Sequence, residues 1–88
     1  MTSAKAITET RSEHTHGRYT IELRTGETYG DKCASVTKQG EGDFLAIFGW
    51  AAHDWQGRFQ FDVSPTSPSN GYRTESGARR AAMKWLNG

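Results

Sequence analysis

A single cysteine, two prolines and no long apolar run set the first limits on this chain of 88 residues. With Cys33 alone, no internal disulfide can form, and nothing marks a secreted, disulfide-stapled domain. No stretch approaches the ~20 apolar residues that span a bilayer. Residues 1–16 also lack the apolar centre of a signal peptide. The expectation is a soluble cytoplasmic protein with no membrane partner. Net charge is scarce as well, at +1 over the whole chain. No internal repeat is visible. Gly40-Glu41-Gly42 is not a phosphate cradle, because Asp43 follows it and its acids repel phosphate.

Aromatic side chains are plentiful by contrast, with four Phe, three Tyr and three Trp. They matter in a chain this short, which buries only ~60–70% of its unfolded surface in one domain. Arg18 to Arg24 alternates strictly: Tyr19, Ile21 and Leu23 point one way, and Thr20, Glu22 and Arg24 the other. Period two is the mark of a half-buried strand. Cys33 to Lys38 reads as a second strand with Ala34 and Val36 inward, and Gln39 to Asp43 as its hairpin connection. Phe44 to Ala52 is apolar on both sides, as a central strand would be, and Gly49 within it marks a bulge or a close approach. Arg58 to Val63 alternates again, with Phe59, Phe61 and Val63 expected inward. Pro65, Pro68 and Asn70-Gly71 then stop the sheet.

The last segment is a capped amphipathic helix. Thr74 is the N-cap and Glu75 favours the first turn. Ala78, Ala81, Ala82 and Trp85 recur at helical spacing, with Asn87-Gly88 as the stop. Three alanines allow close approach to a sheet, and Trp85 anchors the contact. The fold expected is α+β: an antiparallel four-stranded sheet, β-β-β-β-α, with one C-terminal helix packed on one face. Residues 1–16 are expected as a flexible N-terminal arm and residues 17–88 as a single α+β domain. One helix cannot cover both faces of the sheet. The second face, with apolar groups from the central strand, is left for a partner, for a homodimer through the open sheet face, or for cover by the arm or a loop.

Candidate functional residues fall into two groups. Trp55 and His53, at the tip of the last hairpin, and Leu45 and Ile47, on the uncovered face, are candidates for partner binding, since exposed aromatics anchor interfaces or stack on bases. Trp50, nearby, reads rather as core. Arg73, Arg79, Arg80 and Lys84 are candidates for binding nucleic acid or an acidic surface. Residues 73–88 carry these four bases against Glu75 alone, while residues 1–72 are net negative. The positive field is therefore concentrated on the helix. His14 and His16 lie on one side of an extended segment and could share a metal, but a site needs further ligands and a rigid frame. His53-Asp54 could be a base with an orienting carboxylate, and Cys33 with His53 a nucleophile and base, only if the fold brings them together. A solvated turn and a buried thiol are the plainer readings. No catalytic residue, metal or cofactor is expected.

The segment Gly71-Tyr-Arg-Thr-Glu-Ser-Gly-Ala-Arg-Arg-Ala-Ala82 resembles the strand-end and helix-start of AP2-like domains, including the arm-binding modules of phage integrases. That resemblance implies DNA reading by the sheet face, at Arg58, Gln60, Arg24 and Glu22. The same tail is similar to the last helix of double-stranded-RNA-binding domains, with a basic start followed by alanines. In layout, a compact sheet with one helix and clustered charge resembles small phage-encoded inhibitors of host defence of the anti-CRISPR type. This last likeness implies a protein that docks on a host protein or nucleoprotein complex and occludes it. The expected function is therefore a non-enzymatic binding protein of that kind, a phage or mobile-element inhibitor. The alternative is a DNA- or RNA-binding module using the basic helix face.

Overall fold

The computed structural model describes residues 7–26, 28–40, 42–68 and 70–88. Strands β1 (Thr8–Glu13), β2 (Tyr19–Arg24), β3 (Lys32–Gly40), β4 (Asp43–His53) and β5 (Phe59–Val63) precede the helix α1 (Glu75–Asn87). All neighbouring strands are antiparallel and follow chain order, β1-β2-β3-β4-β5. The class is α+β with one C-terminal helix, as the sequence implies, but the sheet has five strands rather than four.

The added strand is β1, within the segment expected as an arm; residues 1–6 of that segment lie outside the described residues. Every residue of β1 is exposed, so no buried apolar pattern announces it. Backbone pairing to β2 holds it, from Thr8 opposite Arg24 to Glu13 opposite Tyr19. Two side-chain contacts add to the ladder. The Arg11 guanidinium lies 3.9 Å from the centre of the Tyr19 ring, a cation–π contact. Arg79 of the helix pairs with Glu9 at 2.5 Å. A charged, polar edge of this type resists pairing with other chains.

Between β1 and β2, Thr15–Gly17 forms a single 3-10 turn with His16 in the left-handed region at φ 62. The extended His14–His16 geometry expected for a shared metal is thus replaced by a turn. Among the described residues no cluster of His, Cys, Asp and Glu side chains fits a metal ion.

The helix face of the sheet carries Tyr19, Ile21 and Leu23 from β2, Ala34 and Val36 from β3, and Phe44 and Ala46 from β4. These pack with Ala78, Ala82 and Leu86 as one core. Alternation with period two on the strands places each set on one side, and spacings of four on α1 align its three core residues. Ala78 and Ala82 are fully buried, so the backbone of α1 lies close on the strands, as the small residues allow. Thr74 caps the helix by accepting from the Gly77 N–H at 3.1 Å. The Tyr19 hydroxyl donates to Glu75 at 2.5 Å and ties β2 to the first helical turn. That carboxylate, together with burial, raises the Tyr19 pKa above its ordinary value.

At the other end of α1, Trp85 locks the helix down. Its ring stacks on Phe48 at 5.6 Å and meets the edge of Trp50 at 5.4 Å. Its indole N–H points at the Cys33 and Gly49 carbonyls, 3.1 and 3.3 Å away. Lys32 donates to the Trp85 carbonyl at 3.2 Å, which places a cation at the negative end of the helix. Trp50 is therefore part of the packing around Trp85.

Chain segment 64–72 does more than stop the sheet. Tyr72 exchanges backbone bonds with Phe44 at 2.7 and 2.8 Å, Ser64 N–H donates to the Phe48 carbonyl, and Ser67 Oγ accepts from Phe48 N–H. The first half of β4 is edged by this segment and the second half by β5.

Candidate functional site

The sheet face away from α1 has no covering layer among the described elements. Register decides what it displays. Gly49 lies opposite Val63, Ala51 opposite Phe61 and His53 opposite Phe59, and opposed residues share a face. Leu45, Ile47, Phe59, Phe61 and Val63 therefore all stand on the open side, with His53 at its end. This corrects the expected phase of β5: Phe59, Phe61 and Val63 do not point at the helix, and Gln60 and Asp62 stand on the helix side beside Ala52 and Trp50. The physical reason is reach. Helix α1 packs over β3 and β4 with β2 beside them, and β5 lies beyond its footprint. An apolar β5 side on the helix face would have found no helix to meet.

The open face is concave. Ile47, Phe59, Phe61 and Val63 form the apolar part of a groove of about 360 Å³, and Thr20, Glu22 and Ser35 form its polar part. Val63 is 56% exposed, high for a valine in a strand. Gly49 is what lets Phe61 lie down here: a Cβ at Gly49 would collide with the Phe61 ring and the Asp62 carbonyl. The expected close approach at Gly49 is thus observed. At the groove's edge the Arg24 guanidinium sits 3.5 Å from the centre of the Phe59 ring and bonds Glu22 through its Nε at 2.6 Å. The pair holds Phe59 from one side and leaves a carboxylate beside the apolar surface.

Trp55 belongs to the β4–β5 turn, whose shape is set by Asp54. One carboxylate oxygen of Asp54 accepts from the Gln56 and Arg58 N–H groups, each at 2.9 Å, and the other accepts from Arg58 Nε at 3.1 Å. The Arg58 N–H leads the donors that hold the Asp54 carboxyl below its usual range. Gly57 supplies the positive φ, +80°, that closes the turn. On this braced turn Trp55 is 88% exposed. His53 is exposed on the adjoining strand end. Leu45 and Ile47 lie on the same sheet face as His53. From Leu45 to His53 the strand runs about 27 Å, so these residues mark the length of the face rather than one spot.

The basic group is divided. Arg79 turns inward to Glu9, which also raises the Arg79 pKa further above its ordinary value. It is spent on holding β1. Arg80 and Lys84 are exposed on the outer helix side, and Arg73 is exposed just before the cap. The positions implied by the AP2-like resemblance do not converge either. Arg24 and Glu22 share the open face, Gln60 stands on the other face, and Arg58 is committed to Asp54.

Cys33 is fully buried. Burial, with Glu22 second, pushes its thiol up to about 11, so it is protonated at neutral pH and a poor nucleophile. Among the described residues no helix is long and apolar enough to cross a membrane. Sequence reasoning finds Leu45 and Ile47 because β4 is apolar on both sides. It misses Phe59, Phe61 and Val63, since alternation reveals two faces without saying which one meets the helix. Comparison with protein-family models, curated proteins and solved structures returns no significant match.

Proposed function

We propose that this chain is a non-enzymatic binding protein that docks on a protein, or on the protein part of a nucleoprotein complex, through its open sheet face and occludes the surface it covers. The observation that carries this reading is the concave apolar surface of Ile47, Phe59, Phe61 and Val63, with Leu45 farther along the same face. Contiguous apolar surface on a small monomer marks a binding site when nothing within the fold covers it. Trp55, exposed on the turn that follows the His53–Phe59 end of the face, supplies the kind of anchor that dominates interface energetics. Glu22 is paired with Arg24 at the groove edge, so the pair presents no net positive charge to draw in the phosphates of a nucleic acid.

The basic helix side gives the second reading, a nucleic-acid contact. It is supported by Arg80 and Lys84, four residues apart and exposed on α1, with Arg73 nearby. With Arg79 paired to Glu9, three bases remain, and they would give a salt slope of roughly −3. We take these charges as steering groups for a partner with an acidic surface.

Calorimetry separates the two readings. The tagged chain is expressed in its host cells, and the captured partner is purified and titrated at several temperatures and salt concentrations. Docking through the open face gives a clearly negative heat-capacity change and an affinity that changes less than about threefold between 50 and 200 mM salt. A heat-capacity change near zero, with affinity falling about fiftyfold over that salt range, would place binding on the helix instead.

A further inference from the structure

The sheet has two edges, and they are built differently. Edge strand β1 is Thr-Glu-Thr-Arg-Ser-Glu, with every side chain exposed. Edge strand β5 is Phe-Gln-Phe-Asp-Val, with no lysine, proline or bulge within it, the devices that commonly discourage pairing.

The unused backbone groups of β5 can be assigned. Ser64 N–H donates to the Phe48 carbonyl and Asp54 N–H donates to the Arg58 carbonyl. These bonds flank the ladder and fix its parity, so Gln60 and Asp62 turn their N–H and C=O groups toward β4. Phe59, Phe61 and Val63 must turn theirs outward. Among the described residues none of those outward groups has a bonding partner outside the strand ladders.

We infer that β5 is a homodimerisation edge, pairing antiparallel with β5 of a second copy about a two-fold axis at Phe61. The second copy is favoured because the strand is self-complementary in this register. Phe61 faces its own counterpart, and Phe59 faces Val63 of the other copy. Gln60 faces Asp62, so that an amide donor meets a carboxylate on the helix side of each junction. No like charges are opposed, and apolar residues meet apolar residues, the pairings that stabilise antiparallel strands. The outward backbone groups fall into bonded pairs about this axis. A two-fold axis normal to the sheet keeps the faces in register, giving one continuous sheet with both helices on one side. Both open faces then lie side by side on the other, available to a partner. The dimer is thus formed by the edge, leaves the face uncovered, and does not depend on the docking proposal. A short edge of this size places the dimer in the weak, reversible class of interfaces.

The test is sedimentation equilibrium of the full chain up to millimolar concentration, on the wild type and on variants at an exposed position. Gln60→Asp sets carboxylates against each other at both symmetry-related junctions and is expected to weaken the dimer about tenfold. Gln60→Lys sets a cation against Asp62 and is expected to tighten it by a few-fold. Val63→Pro removes an outward N–H without touching the β4 ladder and is expected to leave a monomer. Ile47→Lys, on the open face, is expected to leave the dimer intact. Circular dichroism melts confirm that each variant is folded. A wild type that stays monomeric at every concentration overturns the proposal, as does a dimer insensitive to both Gln60 variants but lost in Ile47→Lys. A monomeric wild type whose partner capture is lost in Val63→Pro would assign the edge to a strand of another protein, and also overturns it.

Discussion

Replacing Trp85 with alanine is expected to destabilise the fold by about 3–5 kcal/mol, the range for removing a large aromatic from a packed site. The indole does three things at once. It stacks on Phe48, meets the edge of Trp50, and donates toward the Cys33 and Gly49 carbonyls. It is the large ring on a helix whose other core residues are two alanines and Leu86, with Met83 packed against them. Alanine at this position would leave a cavity that the alanine-lined helix cannot close by moving nearer. For a domain of this size each kcal/mol shifts the midpoint by about 4–8 °C, so thermal and urea melts resolve the change easily. Trp85→Phe keeps most of the stacking and loses the N–H, and is expected to cost about 1–2 kcal/mol. A loss under about 0.5 kcal/mol for Trp85→Ala, typical of surface sites, would contradict the packing described.

Gly49→Ala is expected to cost about 3 kcal/mol or more, beyond the usual effect of one added methyl. The new Cβ would meet the Asp62 carbonyl and the Phe61 ring. The carbonyl belongs to the backbone of β5 and cannot rotate away, so β5 must separate from β4 at the Gly49–Val63 end of the ladder. Overpacking of this type costs 1–3 kcal/mol when side chains can yield, and here the backbone must yield as well. Gly40→Ala is the matched control. Nothing lies within 4 Å of a Cβ at Gly40 and its φ is not positive, so alanine there is expected to be neutral or to stabilise by up to ~1 kcal/mol. Urea melts of the two variants check the contrast. Similar stabilities for both would show that β5 does not press on Gly49.

The elements bound by strong local rules are the ones that a sequence reveals. The alternation of Tyr19, Ile21 and Leu23, the Thr74 cap and the inward Ala78 and Ala82 of α1 each have a local physical cause, and the structure shows each of them. Ala81, the third alanine expected inward, stands outside the core. Strand β1 has no such cause, because its side chains are all exposed and its stability comes from a partner strand and from Glu9 reaching Arg79 seventy residues away. The same long-range pair removed Arg79 from the outer charge of the helix, which spacing along α1 cannot show. The facing of β5 was equally hidden, since Arg58 to Val63 alternates identically in either phase. Only the footprint of the helix decides that Phe59 and Phe61 join Leu45 and Ile47 on the uncovered side. The candidate site was thus half legible: its β4 part followed from composition, and its β5 part depended on tertiary reach.

The central claim is that the open face, rather than the helix, meets the partner. Its most direct test is the dissociation constant of the captured partner for Ile47→Lys compared with the Arg80→Glu/Lys84→Glu pair. Ile47 lines the groove, so a lysine there is expected to weaken binding by roughly thirtyfold or more, the scale of an interface hot spot. The charge reversals on α1 are expected to change it by less than about threefold at 150 mM salt, where exposed charges are largely screened. Unchanged affinity in Ile47→Lys, with a large loss in the helix pair, would contradict the account.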